Sequence, residues 1–186
     1  MEKNSKKQGR FLLAPLLILM FAQIGTSADN SVLSVATNSL ISVLNASMND
    51  IQLANMVYSL CAGAFMIVGG MLGIIIGWNK DFRIGASLVL VGEVILAISQ
   101  NIETFTWGGR LVVGLGASLM IPSVLGMVPG IYKTGKERAF AFGAIGAATG
   151  IASAAGPVLA GILIDNFGWF GNEVLSFSPY RLGALI

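Results

Sequence analysis

Three ionisable side chains, Asp29, Glu93 and Arg110, stand inside stretches of the sequence that are otherwise almost free of charge. A charge within a hydrocarbon layer is costly, so such residues normally face one another, a water-filled path or a ligand. Asp29 belongs to the polar run Ala28-Asp29-Asn30-Ser31, whose other members can hydrogen-bond it and admit water. Glu93 follows Arg83 by about ten residues, which at about 1.5 Å per residue places it about 15 Å deep, near a bilayer midplane. Arg110 comes about one turn after Trp107 and needs a carboxylate or backbone carbonyls as partner. The chemistry open to this set is exchange of a proton for a cationic ligand at a carboxylate, the two competing for one negative site. The plainer alternative is an internal acid that serves only to neutralise Arg110.

Other chemistries lack their residues. The sequence has no histidine and one cysteine, Cys61, so neither a zinc constellation nor an internal disulfide can form. Gly114-Leu115-Gly116 lacks the rest of a dinucleotide fingerprint and lies in an apolar run, where helix packing explains it better. No catalytic residue, metal or cofactor is expected. A membrane enzyme would show clustered His, Cys or carboxylates, and the sequence has no such cluster.

The elements that must position these charges are helices in a membrane. Hydrophobic residues make up 55% of the chain and charged ones 11%, with a mean hydropathy of +0.80, outside the range of soluble domains. Ile51 to Asn79 and Ala139 to Ile164 contain no charge at all, and about 20 apolar residues suffice to cross a bilayer as a helix. Unbroken apolar runs exclude the alternation of barrel strands. The expected fold is all-α: a polytopic transmembrane bundle at residues 11–169 with about five spans, near 12–40, 52–77, 84–101, 105–128 and 140–164. Basic residues favour the cytoplasmic side. Lys3, Lys6, Lys7 and Arg10 in the leading segment 1–10, Lys80 and Arg83, and Lys133, Lys136 and Arg138 all fall on one face of this arrangement. The N-terminus is therefore expected in the cytoplasm and the chain in the plasma membrane. The net charge of +2 then reports topology and implies no nucleic-acid partner. A competing reading takes the basic start, the apolar run Phe11–Phe21 and Thr26-Ser27-Ala28 as a cleavable signal peptide. Apolar residues resume at Val32, which argues against it.

Glycine is abundant and placed inside spans, at Gly63, Gly69, Gly70, Gly73 and Gly77 in the second and at Gly143, Gly146, Gly150, Gly156 and Gly161 in the fifth. Small residues let helices approach closely in lipid, so close, slidable contacts are expected on both. Trp78, Trp107 and Trp169 fall at span ends, as interfacial anchors do.

The run Gly150-Ile151-Ala152-Ser153-Ala154-Ala155-Gly156-Pro157-Val158-Leu159-Ala160-Gly161 resembles the antiporter motif of the major facilitator superfamily. Arg110-Leu111-Val112-Val113-Gly114-Leu115-Gly116-Ala117, continued by Pro122, is similar to that family's fourth-helix motif. Asp29 to Ala36 is similar to the first-helix aspartate motif of its fourteen-span drug:proton antiporters, and Lys136-Glu137-Arg138 matches the charged connection before the fifth span. Gly70, Leu72, Gly73 and Gly77 fit the second-connection motif, but Ile74, Ile75 and Trp78 replace its charged residues, and with them the latch that motif provides. The resemblance covers residues 10 to 169.

It implies five spans of a six-helix N-terminal domain, within a transporter that exports lipophilic or cationic small molecules against protons. Asp29, Glu93 and Arg110 would be the coupling residues, and Gly70, Gly77, Gly114, Gly150, Gly156, Pro157 and Gly161 the conformational ones. The family's three-helix repeats place spans one and four in corresponding positions, which makes Asp29 and Arg110 a plausible pair. The partners implied are a small-molecule substrate, protons, the lipid bilayer, and further C-terminal helices or a partner chain. Residues 170–186 are too polar and too short for a sixth span, and the chain is expected to stop early, through truncation or a reading-frame change. A non-transporting remnant or an accessory membrane subunit is the alternative.

Overall fold

The computed structural model describes residues 2–167, with side chains for 13–29 and 31–162. Trp169 and the 170–186 tail lie outside the described residues. Those described form α1 (Glu2–Leu44), α2 (Met48–Ile76), α3 (Trp78–Ile98), a π-helical segment (Thr104–Arg110) that runs directly into α4 (Leu111–Ile131), and α5 (Lys136–Phe167); they contain no strand. Four helical stretches, Leu13–Leu44, Met48–Ile76, Thr104–Ile131 and Lys136–Ile162, are long and apolar enough to cross a membrane. The helix α3 has 21 residues, about 31 Å at 1.5 Å per residue, so its length suffices. Its first turns carry Lys80, Asp81 and Arg83 and its second half Glu93, so it holds more charged residues than any of those four stretches.

Local chemistry sets the turns. Between α1 and α2, Asn45 takes a positive φ of 49°, a conformation asparagine tolerates better than most residues. Ser47 then caps α2 in a reciprocal box: its backbone N–H donates to Asp50 Oδ2 at 2.8 Å and its Oγ accepts from the Asp50 N–H at 3.3 Å. Gly77 alone separates α2 from α3, at φ 92°, where a side chain would be strained. It therefore acts as a corner and is not an interior residue of the second span. At the α4–α5 corner, the Arg138 guanidinium donates to the carbonyls of Pro129 (3.1 Å) and Tyr132 (3.3 Å). These orphan acceptors at the end of α4 are thus satisfied by a cation placed where the helix dipole favours one.

Contacts between named residues give the helix directions. Gly114 lies against Tyr58 and Gly69 against Ser118, so α2 and α4 run parallel. Gly92 meets Val113 and Gly85 meets Gly116, so α3 and α4 are antiparallel. Gly156 approaches Ala28 and Gly161 approaches Val35, so α1 and α5 run parallel. The central helix is α4: with its π-helical start, half of its most apolar window is buried, against 17% for α2. Its partners come close because glycine carbons meet backbone directly. A Cβ on Gly116 would lie 2.7 Å from the Val89 nitrogen and one on Gly114 2.8 Å from the Tyr58 carbonyl oxygen. Such contacts suit lipid, where packing replaces the hydrophobic drive. The glycines of α5 differ from expectation: Gly143, Gly146 and Gly150 have nothing within 4 Å, and Gly156 and Gly161 make only ordinary contacts. They point away from the described helices, a choice of face that a list of glycines does not specify. Trp78 also differs from a simple anchor, since its ring fills the space left by Gly73 and Gly126.

Apolar clusters join these helices: Leu33, Leu40, Ile51 and Phe105 at the end holding the α1–α2 turn, and Leu16, Leu19, Val124, Val128 and Ile145 at the other. The outer surface is apolar as well, with Ile67, Ile74, Ile75 and Leu60 between 71% and 76% exposed. In water so continuous an apolar surface would drive association; against lipid it is the expected exterior.

Candidate functional site

The Ala28–Ser31 run does not interrupt α1, which passes through it as regular helix. The run is polar in composition only, and Asp29 projects from a continuous helix toward α4. There Arg110 closes the π-helical segment, where the Leu111 N–H donates to the Thr106 carbonyl in the wider i→i−5 pattern. Such segments often sit at functional sites.

The two charges meet. Nη1 of Arg110 donates to Asp29 Oδ2 at 2.8 Å and to Oδ1 at 3.0 Å. The side chain of Arg110 is 1% exposed and that of Asp29 17%, so the arginine is sealed while the carboxylate keeps some access. Two residues of α2 complete the seat of the guanidinium. Its Nη2 donates to Asn55 Oδ1 at 3.3 Å, and its Cζ lies 4.4 Å from the centre of the Tyr58 ring, within cation–π range. Sequence reasoning missed both residues, although a signal was available. Asn55 and Tyr58 are spaced i, i+3 in an uncharged span, so they share one face of α2. Gly114 brings that face against α4 at Tyr58.

Asp29 and Arg110 line a cavity of about 380 Å³ whose third charged member is Glu93. Its remaining walls are mainly apolar and include Leu33, Ala36, Leu40, Leu96 and Phe105. It lies in the half of the bundle that holds the α1–α2 and α3–α4 connections, opposite the end carrying Lys80, Arg83, Lys133, Lys136 and Arg138. The structure thus brings all three sequence-predicted charges to one cavity but pairs only two of them.

The predicted conformational residues divide by location. Gly156 on α5 lies beside Ala28 and Ser31, the neighbours of Asp29, and Gly161 beside Val35. Pro157 is accommodated within α5 without ending it. Gly114 supports the Arg110 site from behind Tyr58, Gly70 lies 3.9 Å from Pro122 Cβ by the position a Cβ would take, Gly77 forms the α2–α3 corner, and Gly150 has no neighbour within 4 Å. A second buried polar pair lies away from the cavity. Asp81, in the first turn of α3, is fully buried and accepts the Ser123 hydroxyl of α4 at 2.6 Å. Its other oxygen has no partner among the described residues. The third span, expected at 84–101, begins earlier, at Trp78, so Asp81 belongs to the helix and is turned inward.

The family model of the Major Facilitator Superfamily matches residues 19–172. Among curated proteins, the chain is 36% identical over 82% of its length to a "Probable actinorhodin transporter" of Streptomyces coelicolor. It is 29% identical over 83% of its length to the riboflavin transporter RibZ of Clostridioides difficile. It is 27% identical over 92% of its length to the tetracenomycin C resistance and export protein of Streptomyces glaucescens. The chain spans 26%, 33% and 31% of the length of these relatives, respectively.

Proposed function

Because the chain belongs to the major facilitator superfamily and is therefore a multi-pass membrane protein, we propose that it acts in proton-coupled efflux of lipophilic or cationic small molecules. The relative named for resistance and export supports the efflux part of this reading. Since the chain spans about a third of them or less, the full transport cycle, the substrate and the remaining helices or partner chain all belong to the proposal. So does its placement in the plasma membrane with the N-terminus in the cytoplasm, which rests on the basic residues gathered at one end of the bundle.

One observation carries the mechanism: a sealed arginine holds both oxygens of a carboxylate that borders a cavity. While Asp29 is ionised, its bond to Arg110 ties α1 to α4. A proton on Asp29 removes the charge that holds the pair, and Arg110 retains its seat on Asn55 and Tyr58 of α2. The helix α1 is then free to shift against α5, where small residues leave the contact at Gly156 shallow. Return of the proton to water re-forms the tie. Binding of a cation in the cavity and binding of a proton at Asp29 oppose each other through this shared electrostatics, which couples them.

The test is Asp29→Asn in the complete transporter, reconstituted in vesicles with an imposed proton gradient and assayed with a cationic dye. Gradient-driven transport is lost while insertion persists. Wild-type efflux from the variant would overturn the assignment.

A further inference from the structure

Three charged side chains line the cavity, two acids and one base, and the base is already committed. Arg110 applies Nη1 to both Asp29 oxygens, Nη2 to Asn55 and its π-facing surface to Tyr58. Glu93 has neither an ion pair nor a hydrogen bond among the described residues. It is half-buried on α3, and the adjacent Gly92, where a Cβ would lie 2.5 Å from Val113 Cγ2, fixes α3 tightly against α4 at that level. The cavity is thus a mainly apolar chamber with one carboxyl group that no described side chain pairs. We infer that Glu93 is the carboxylate that receives the positive charge of a lipophilic monocation, with Asp29 reserved for Arg110.

The complement of this chamber follows from its walls. Leu33, Ala36, Leu40 and Leu96 offer contact to an apolar shell, and Phe105 adds an aromatic wall, on which a cation is attracted as well as packed. With both acids ionised, a single positive charge balances the three lining residues to zero. A dication leaves an excess inside low-dielectric surroundings, and an anion meets net repulsion. This division of labour rests on the transport reading but separates the two acids: Glu93 contacts the ligand, Asp29 answers to the proton through Arg110.

The experiment measures binding alone. The chain is placed in lipid nanodiscs, and equilibrium binding of radiolabelled tetraphenylphosphonium is compared with that of uncharged triphenylphosphine oxide, for wild type, Glu93→Gln and Glu93→Asp. Glu93→Gln weakens the cation at least about tenfold, the scale of one lost charge contact in a partly screened site, and leaves the uncharged probe within about twofold. Glu93→Asp retains part of the cation affinity. Equal cation binding by wild type and Glu93→Gln overturns the inference, as does a wild type that does not bind the cation. Parallel loss of both probes also overturns it, because it assigns Glu93 to the shape of the cavity and not to its charge. Gradient-driven transport plays no part in this measurement, so failure here and failure of the transport reading are separately visible.

Discussion

Replacing Asp29 by asparagine changes no heavy-atom volume of consequence, yet it strands Arg110. The guanidinium is 1% exposed and cannot shed its charge. Removing one partner of a buried ion pair typically costs about 3–5 kcal/mol. Here Arg110 keeps Asn55 at 3.3 Å and Tyr58 at 4.4 Å, the asparagine still offers one oxygen, and Asp29 was itself 17% exposed. These together place the expected loss at the low end, about 3 kcal/mol. Adding Arg110→Met removes the stranded charge while keeping an unbranched apolar side chain, so the double variant recovers part of the loss, with a coupling of about 2 kcal/mol. That exceeds the average of about 0.6 kcal/mol for interhelical hydrogen bonds in membranes. Reversible unfolding in mixed micelles, followed by tryptophan fluorescence, measures all three variants. If the two losses instead add to within about 0.5 kcal/mol, the pair is not coupled in the folded chain and the reasoning fails.

Other expected outcomes follow from single contacts. Gly116→Ala costs about 1–3 kcal/mol, because its Cβ would press on the Val89 backbone at 2.7 Å, whereas Gly146→Ala, with nothing within 4 Å, gains up to about 1 kcal/mol of helix propensity; the same unfolding measurement ranks them. Ser123→Ala removes the donor to buried Asp81 and costs about 1–3 kcal/mol, and Ser123→Thr, which keeps the hydroxyl, recovers part of that loss. Ser47→Ala opens the capping box of α2 and costs about 1 kcal/mol, visible as faster amide exchange confined to the first turns of that helix.

The helices were legible because apolar run length decides them: a charge-free stretch such as Ile51 to Asn79 has few other stable forms in lipid. Arg110 was legible for the same reason, since a fixed charge in such a run demands an acid, and Asp29 was one of two on offer. Less accessible was everything set by rotation about a helix axis. Seven π-helical residues, Thr104–Arg110, change the face that Arg110 presents, and nothing in their composition announces it. Asn55 and Tyr58 became a binding seat only once α2 and α4 were seen to run parallel and in contact at Gly114. Asp81 and Ser123 are 42 positions apart and meet through antiparallel packing of α3 on α4. The glycines of α5 carry the same label as those of α2 and α4 but face outward at Gly143, Gly146 and Gly150, because helix packing, and not glycine content, chooses the interface.

The central claim is that the Asp29–Arg110 pair links a proton to movement of the bundle. Two transport modes of the complete protein separate that link from the rest of the cycle: exchange of labelled for unlabelled substrate at equal concentrations, and uphill transport driven by a proton gradient. For Asp29→Asn the account predicts that exchange persists and uphill transport disappears. Uphill transport at the wild-type rate in that variant would contradict it.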